Sequence, residues 1–153
     1  MRIIVTSDTH RSVGRLFEIV EKHMDSTDLF ISLGDEESDW ETVLMLYPDL
    51  KLKQVAGNND WYSKNPTSDI LTADGKRIFF THGHPFYVKR GYEQLIQRAK
   101  QENADICLFG HTHVPYENYI DKIHILNPGS VRESSYGILD ISGDNIMAYN
   151  AKI

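Results

Sequence analysis

The stretch RIIVTSDTH, residues 2–10, decides how the rest of the chain is read. Its apolar, β-branched run Ile3-Ile4-Val5 has the character of a buried strand, and it stops at two donor residues, Asp8 and His10. Four more segments repeat the design: LFISLGD (29–35), LKQVAGNND (52–60), RIFFTHGH (77–84) and ICLFGHTH (106–113). Each is expected to be a buried strand whose carboxyl end delivers oxygen or nitrogen donors. Together they supply Asp8, His10, Asp35, Asn58, His82, His111 and His113. In open α/β sheets ligands collect beyond the carboxyl ends of the strands, so donors spread over more than 100 residues can converge there.

The segments between these strands set the fold class. Ser12 can cap a helix carrying Val13, Leu16, Phe17, Val20 and Met24, an i, i+3, i+4, i+7 stripe. A second helical pattern holds Trp40, Val43, Leu44 and Tyr47 and is closed by Pro48. A third, expected over 89–101, holds Tyr92, Leu95, Ile96 and Ala99. All three stripes read as core faces. Strand–helix–strand order implies parallel pairing with right-handed crossovers. The later chain is antiparallel in character, with hairpin signals at Asp74-Gly75, Asp121-Lys122 and Gly143-Asp144. Residues 61–68 read as a polar loop. The expectation is an α/β protein: one domain over 1–153, a mixed α/β layered sandwich.

Composition narrows the function classes. The 153 residues suffice to bury roughly two-thirds of the unfolded surface. A formal net charge of −6 lacks the concentrated basic face that a long nucleic-acid backbone requires. A small phosphorylated substrate stays compatible, because bound metal ions can dominate the local field. The lone Cys107 lies inside an apolar run and reads as a small buried hydrophobe, so no disulfide framework is available within the chain. No segment resembles a signal peptide or a membrane span, and a cytoplasmic setting is the default expectation.

The donor set carries the chemistry. Two carboxylates, one amide and four imidazoles, with no thiolate, suit borderline first-row divalent ions. A structural zinc site needs four ligands and usually takes cysteines, whereas seven donors fit two ions sharing a carboxylate. Two divalent ions, two aspartates and a bridging hydroxide would sum to roughly +1, a charge that attracts a phosphate oxygen. The expected reaction is phosphate-ester hydrolysis without a covalent enzyme intermediate. As isolated residues, Asp8 or Asn58 would be ordinary caps of turns; their order and spacing as a set argue otherwise.

The pattern D-x-H, G-D, G-N-x-D, H-G-H and G-H-T-H, followed by N-P-G-S at 127–130, resembles the calcineurin-like metallophosphoesterases, and most closely their small YfcE-like phosphodiesterases. The resemblance runs from Ile3 to at least Ser130 and implies the family's fold, a four-layer sandwich of two mixed β-sheets flanked by helices. It implies that Asp8, His10 and His113 hold one metal, that Asp35 bridges, and that Asn58, His82 and His111 complete the second. The implied cofactors are two divalent ions, manganese first, with nickel, iron, zinc or cobalt admitted. The implied partner is a small phosphorylated substrate, diester or monoester, with a homo-oligomer open. A non-catalytic scaffold like the retromer subunit that shares the fold is the alternative, although that form has lost ligand histidines. A DNA nuclease is disfavoured by acidity.

The chain also departs from the family pattern. Many larger relatives carry a histidine after the metal-binding asparagine, and here that position is Asn59, expected near the substrate. The general acid for the leaving group is therefore open, with Asp60 and His84 as candidates and metal or water assistance as the other route. His84 reads equally as a pocket residue or a turn residue before Pro85. Arg11 can reach a phosphate oxygen or lie on the surface at a helix start. His23 is expected to be solvated and His124 to be a strand residue. The 127–130 segment reads as a tight turn near the site. Specificity is assigned to loops 36–40, 59–69 and 84–91. Their aromatics Trp61, Tyr62, Phe86 and Tyr87 can stack on a ring or pack against another subunit.

Overall fold

The computed structural model describes residues 1–153. Ten strands form two five-stranded sheets. The first contains β1 (Arg2–Thr6), β2 (Leu29–Ser32), β3 (Leu52–Gln54), β9 (Ser135–Ser142) and β10 (Asn145–Lys152), in the order β10-β9-β1-β2-β3. The second contains β4 (Ser68–Ala73), β5 (Lys76–Thr81), β6 (Ile106–Phe109), β7 (Tyr116–Ile120) and β8 (Ile123–Asn127), in the order β4-β5-β6-β8-β7. Strands β1, β2 and β3 pair in parallel, as do β5, β6 and β8, while β4, β7, β9 and β10 pair antiparallel. All three hairpins turn where the sequence signals them.

Alternation along the strands builds the layers. Ile3, Val5, Ile31 and Leu33 point to one side and meet Ile78, Phe80, Ile106 and Leu108 of the other sheet, forming the central core. Their neighbours face outward. Ile4 and Phe30 pack under α1 (Val13–His23) and α2 (Glu37–Leu46), against Leu16, Val20, Trp40 and Val43. Phe79, Cys107 and Phe109 pack under α3 (Glu93–Gln101), against Leu95 and Ala99. Strands covered on both faces must be apolar at every position, which is why the central runs read as continuous hydrophobic stretches. The result is helix, sheet, sheet, helix, as the sequence implies.

Four local expectations are corrected. The third segment is no buried central strand: β3 spans three part-exposed residues, because it is the edge of its sheet, and Val55 and Ala56 enter the core only after it ends. Ser12 occupies the N-cap of α1, but its side chain makes no capping bond, and Met24 falls in a separate 3₁₀ turn. Helix α3 starts at Glu93 rather than 89, since a 3₁₀ turn at His84–Phe86 and a left-handed Tyr87 occupy the preceding chain. His23 is buried, with Nε2 2.9 Å from the Tyr136 hydroxyl, so the helical face assumed to be wet is covered by β9.

Candidate metal centre

The carboxyl ends of β1, β2, β5 and β6, together with the chain after β3, meet at one end of the sandwich. The turns there are sharp. Asp8, His10, Asp35, His111 and His113 all have positive φ, between 44° and 69°. Left-handed backbone costs a non-glycine residue about 1–2 kcal/mol. Five such residues at one place mark a site that the surrounding structure holds against local preference.

That holding is visible bond by bond. Asp8 accepts from Ser7 Oγ at 2.6 Å and from the His111 amide at 3.1 Å, both through Oδ2. Its amide donates to the Gly34 carbonyl, and its own carbonyl accepts from Ser130 Oγ at 2.8 Å. The 127–130 turn therefore braces the first ligand loop. Asn127 adds bonds from Nδ2 to the Gly110 carbonyl and to Thr112 Oγ1, fixing the G-H-T-H loop. His82 Nδ1 lies 2.8 Å from the Leu33 carbonyl; that bond makes Nδ1 the donor and turns the Nε2 lone pair inward.

The inward donors form two groups that can each hold a metal ion: Asp8, His10 and His113, and Asp8, Asp35 and His82. In the first, His113 Nε2 lies 3.1 Å from Asp8 Oδ1 and 3.2 Å from His10 Nε2. In the second, His82 Nε2 lies 3.6 Å from Asp35 Oδ2, and 3.1 Å from both Asn58 Oδ1 and His111 Nδ1. Asp35 Oδ2 is also 3.8 Å from His10 Nε2, so it stands between the groups. Asp8 is likewise common to both, although the sequence assigns it to one alone. Asp8 Oδ1 is buried and has no hydrogen-bond partner. A buried charged oxygen without a donor is costly, and a cation at that point would satisfy it.

Electrostatics agree with the donor chemistry. Burial opposes ionisation of Asp8, but His10, His113, His82 and Ser7 outweigh it and hold the carboxyl well below its usual range. His111 is pushed down to about 4 by burial and then by His82 and Lys89, against Asp8 and Asp35. Its ring is therefore neutral at pH 7, as ligation demands. His10 goes the other way, raised by its contact with Asp8 against the cost of burial.

The remaining predicted residues divide sharply. Asp60 is not set up as an acid. Oδ1 accepts from the Glu36 and Glu37 amides at 2.8 and 3.0 Å, and Oδ2 from those of Asp35 and Gly57, both at 2.8 Å. It caps α2 from a distant loop and braces the Asp35 turn, so both oxygens are already engaged by backbone donors. Asn59 is also committed: its amide and Nδ2 donate to Asp35 at 2.9 and 2.7 Å, so it orients that carboxylate rather than standing free for substrate. His84 stands beside the donor set, its ring centroid 5.4 Å from that of His82 and its Nδ1 buried and unpartnered. Burial and His82 push its pKa down, and a neutral imidazole is a poor proton donor. Arg11 is exposed at the rim, 3.7 Å from Glu36. Of the loop aromatics, Phe86 packs on Phe79, whereas Trp61, Tyr62 and Tyr87 are exposed.

One residue near the site was missed. Arg132, two positions after the 127–130 turn, lines a cleft with His10, Arg11, Glu36, Asn59 and Trp61. Its distance in sequence from every ligand motif hides it; only its closeness to the N-P-G-S turn hints at it.

Comparison with known proteins accounts for this geometry. The model of the calcineurin-like phosphoesterase superfamily domain matches residues 1–144. A probable metallophosphoesterase of Bacillus subtilis, YsnB, is 30% identical over 151 residues, 94% of this chain and 86% of that protein. The phosphodiesterase YfcE of Escherichia coli is 38% identical over 91 residues, 56% of this chain and 45% of that protein. Among solved structures, Vps29 of Chaetomium thermophilum superposes with a TM-score of 0.82 over 100% of this chain and 87% of that one. At 18% identity the last is a likeness of fold alone. With its strand-end donors, its two-sheet sandwich and a family match over nearly its whole length, this chain belongs to the calcineurin-like phosphoesterases.

Proposed function

We propose that the chain hydrolyses a small phosphodiester at a pair of divalent ions, manganese first, with nickel, iron, zinc or cobalt acceptable to the same donors. The observation that carries this reading is a pair of candidate ligand groups, Asp8 with His10 and His113 and Asp8 with Asp35 and His82, with Asn58 and His111 set against His82. Family membership supports phosphoester hydrolysis, and the name of YfcE supports the diester. Asp8, His10 and His113 would hold one ion and Asn58, His82 and His111 the other, with Asp35 shared. A pair of divalent ions held by these residues would supply Lewis acidity to a bound water and to the phosphoryl oxygens.

The chain's own residues prepare that chemistry. Asn59 and Asp60 fix the Asp35 turn, Ser7 and Ser130 fix Asp8, and Leu33 fixes the His82 ring. His84 sets a neutral imidazole beside the donor set. With Asp60 engaged by four amides and His84 neutral, the leaving group departs without a strong protein acid. Rates should then depend steeply on leaving-group basicity, which favours activated or stabilised alcohols. On this reading residues 1–153 act as one catalytic unit on a small substrate.

The test is hydrolysis of bis-p-nitrophenyl phosphate and p-nitrophenyl phosphate by metal-stripped protein given manganese, nickel or zinc. Diester cleavage should return with metal and vanish in Asp35→Ala and His82→Ala. Full activity without metal would overturn the mechanism. Inertness with two ions bound would point instead to a protein-interaction scaffold on the same fold.

A further inference from the structure

We propose that Arg132 recognises a second anionic group on one substituent of the diester, so that the preferred substrate is nucleotide-like: a flat ring on Trp61 and a further phosphate on Arg132. This rests on the phosphodiesterase reading and names its substrate class. The cleft lined by His10, Arg11, Glu36, Asn59, Trp61 and Arg132 is about 470 Å³, and it shares the candidate ligand His10 and the Asp35-bonded Asn59 with the donor site. That volume lies within the range of small-ligand sites and suits one nucleoside-sized substituent.

Charge decides which side of the indole the anion takes. Trp61 is 83% exposed and also borders a neighbouring cleft of about 540 Å³. That second cleft carries Glu36, Glu37, Glu41 and Asp60 against Lys64, and Glu37 is already bonded to Ser63 and Asn65. The Arg132 side carries two guanidiniums against Glu36 alone, in a chain of net charge −6. Arg11 makes only the 3.7 Å approach to Glu36, and Arg132 has no acidic partner. A free guanidinium presents a planar fork of donors matched to phosphate oxygens, and an exposed indole offers a stacking face.

Arg132 is also held in place. Its predecessor Val131 is buried and donates its amide to the Ser7 carbonyl at 3.0 Å, while Ser130 bonds the Asp8 carbonyl. The backbone that carries Arg132 is therefore pinned to the chain just after β1, beside Asp8, and its side chain lines the same cleft as His10.

Calorimetric titration of manganese-loaded protein with thymidine 3′,5′-bisphosphate and thymidine 5′-phosphate tests this without turnover. The wild type should bind the bisphosphate more tightly. Arg132→Gln should weaken it about tenfold, the scale of one charge-assisted hydrogen bond, while leaving the monophosphate within about twofold. Trp61→Ala should weaken both ligands alike. Equal loss for both nucleotides in Arg132→Gln would put the residue on the phosphoryl group at the metals and overturn the proposal. So would no loss, or no wild-type preference. Failure of the hydrolase reading is separately visible, as nucleotide binding without cleavage of any p-nitrophenyl diester.

Discussion

Replacing Asp60 with asparagine separates bracing from proton donation. In the native chain four amides converge on its two oxygens, those of Asp35, Glu36, Glu37 and Gly57. Asparagine keeps one acceptor oxygen, so two amides lose their partner and face an amide nitrogen instead. Hydrogen bonds to a charged acceptor contribute about 1.5–3 kcal/mol each, and the lower end applies because the loop is part-exposed. Losing the negative charge at the start of α2 adds about 0.5 kcal/mol. The expected cost is about 3.5 kcal/mol, or roughly 7–14 °C in Tm for a chain of this size. Urea unfolding of metal-free protein at pH 7 measures it without interference from metal binding. A loss below about 1 kcal/mol, combined with a rate defect confined to poor leaving groups, would refute the brace and restore Asp60 as the acid.

The structure supports two further expectations. A Cβ at Gly57 would overlap Oδ1 of Asp35, so Gly57→Ala should weaken manganese binding by at least about tenfold, read by calorimetry on stripped protein. Stability of the metal-free protein should fall with acid. His111 titrates near 6.5 when unfolded and at about 4 when folded, so its contribution is present above about 6.5 and is lost as pH drops toward 4. His84 and His23 are lowered in the same sense, whereas the raised His10 opposes them, its contribution being lost as pH rises. The urea midpoint should be lower at pH 5 than at pH 7.5, with a smaller difference in His111→Asn.

Much of this was legible in the sequence because its signals are local. The continuous apolar run Ile3-Ile4-Val5 marks a strand covered on both faces, and Asp74-Gly75 carries its own turn chemistry. The candidate donors stand out because they follow such runs. What escaped depends on partners far away in the chain. Asp60 reads as a free carboxylate until the start of α2, over twenty residues earlier, is seen to close on it. His23 reads as wet until Tyr136 covers it. β3 looks like its siblings in composition, and only the strand order reveals it as an edge. Arg132 belongs to no motif and gains meaning only from the cleft it shares with His10.

The central claim is that these seven donors form a two-ion centre on which hydrolysis depends. Stepwise addition of manganese to stripped protein, with bis-p-nitrophenyl phosphate cleavage followed at each step, tests it directly. Activity should stay low through the first equivalent and reach its plateau at about two ions per chain. A plateau at one equivalent, or full activity before any metal is added, would contradict it.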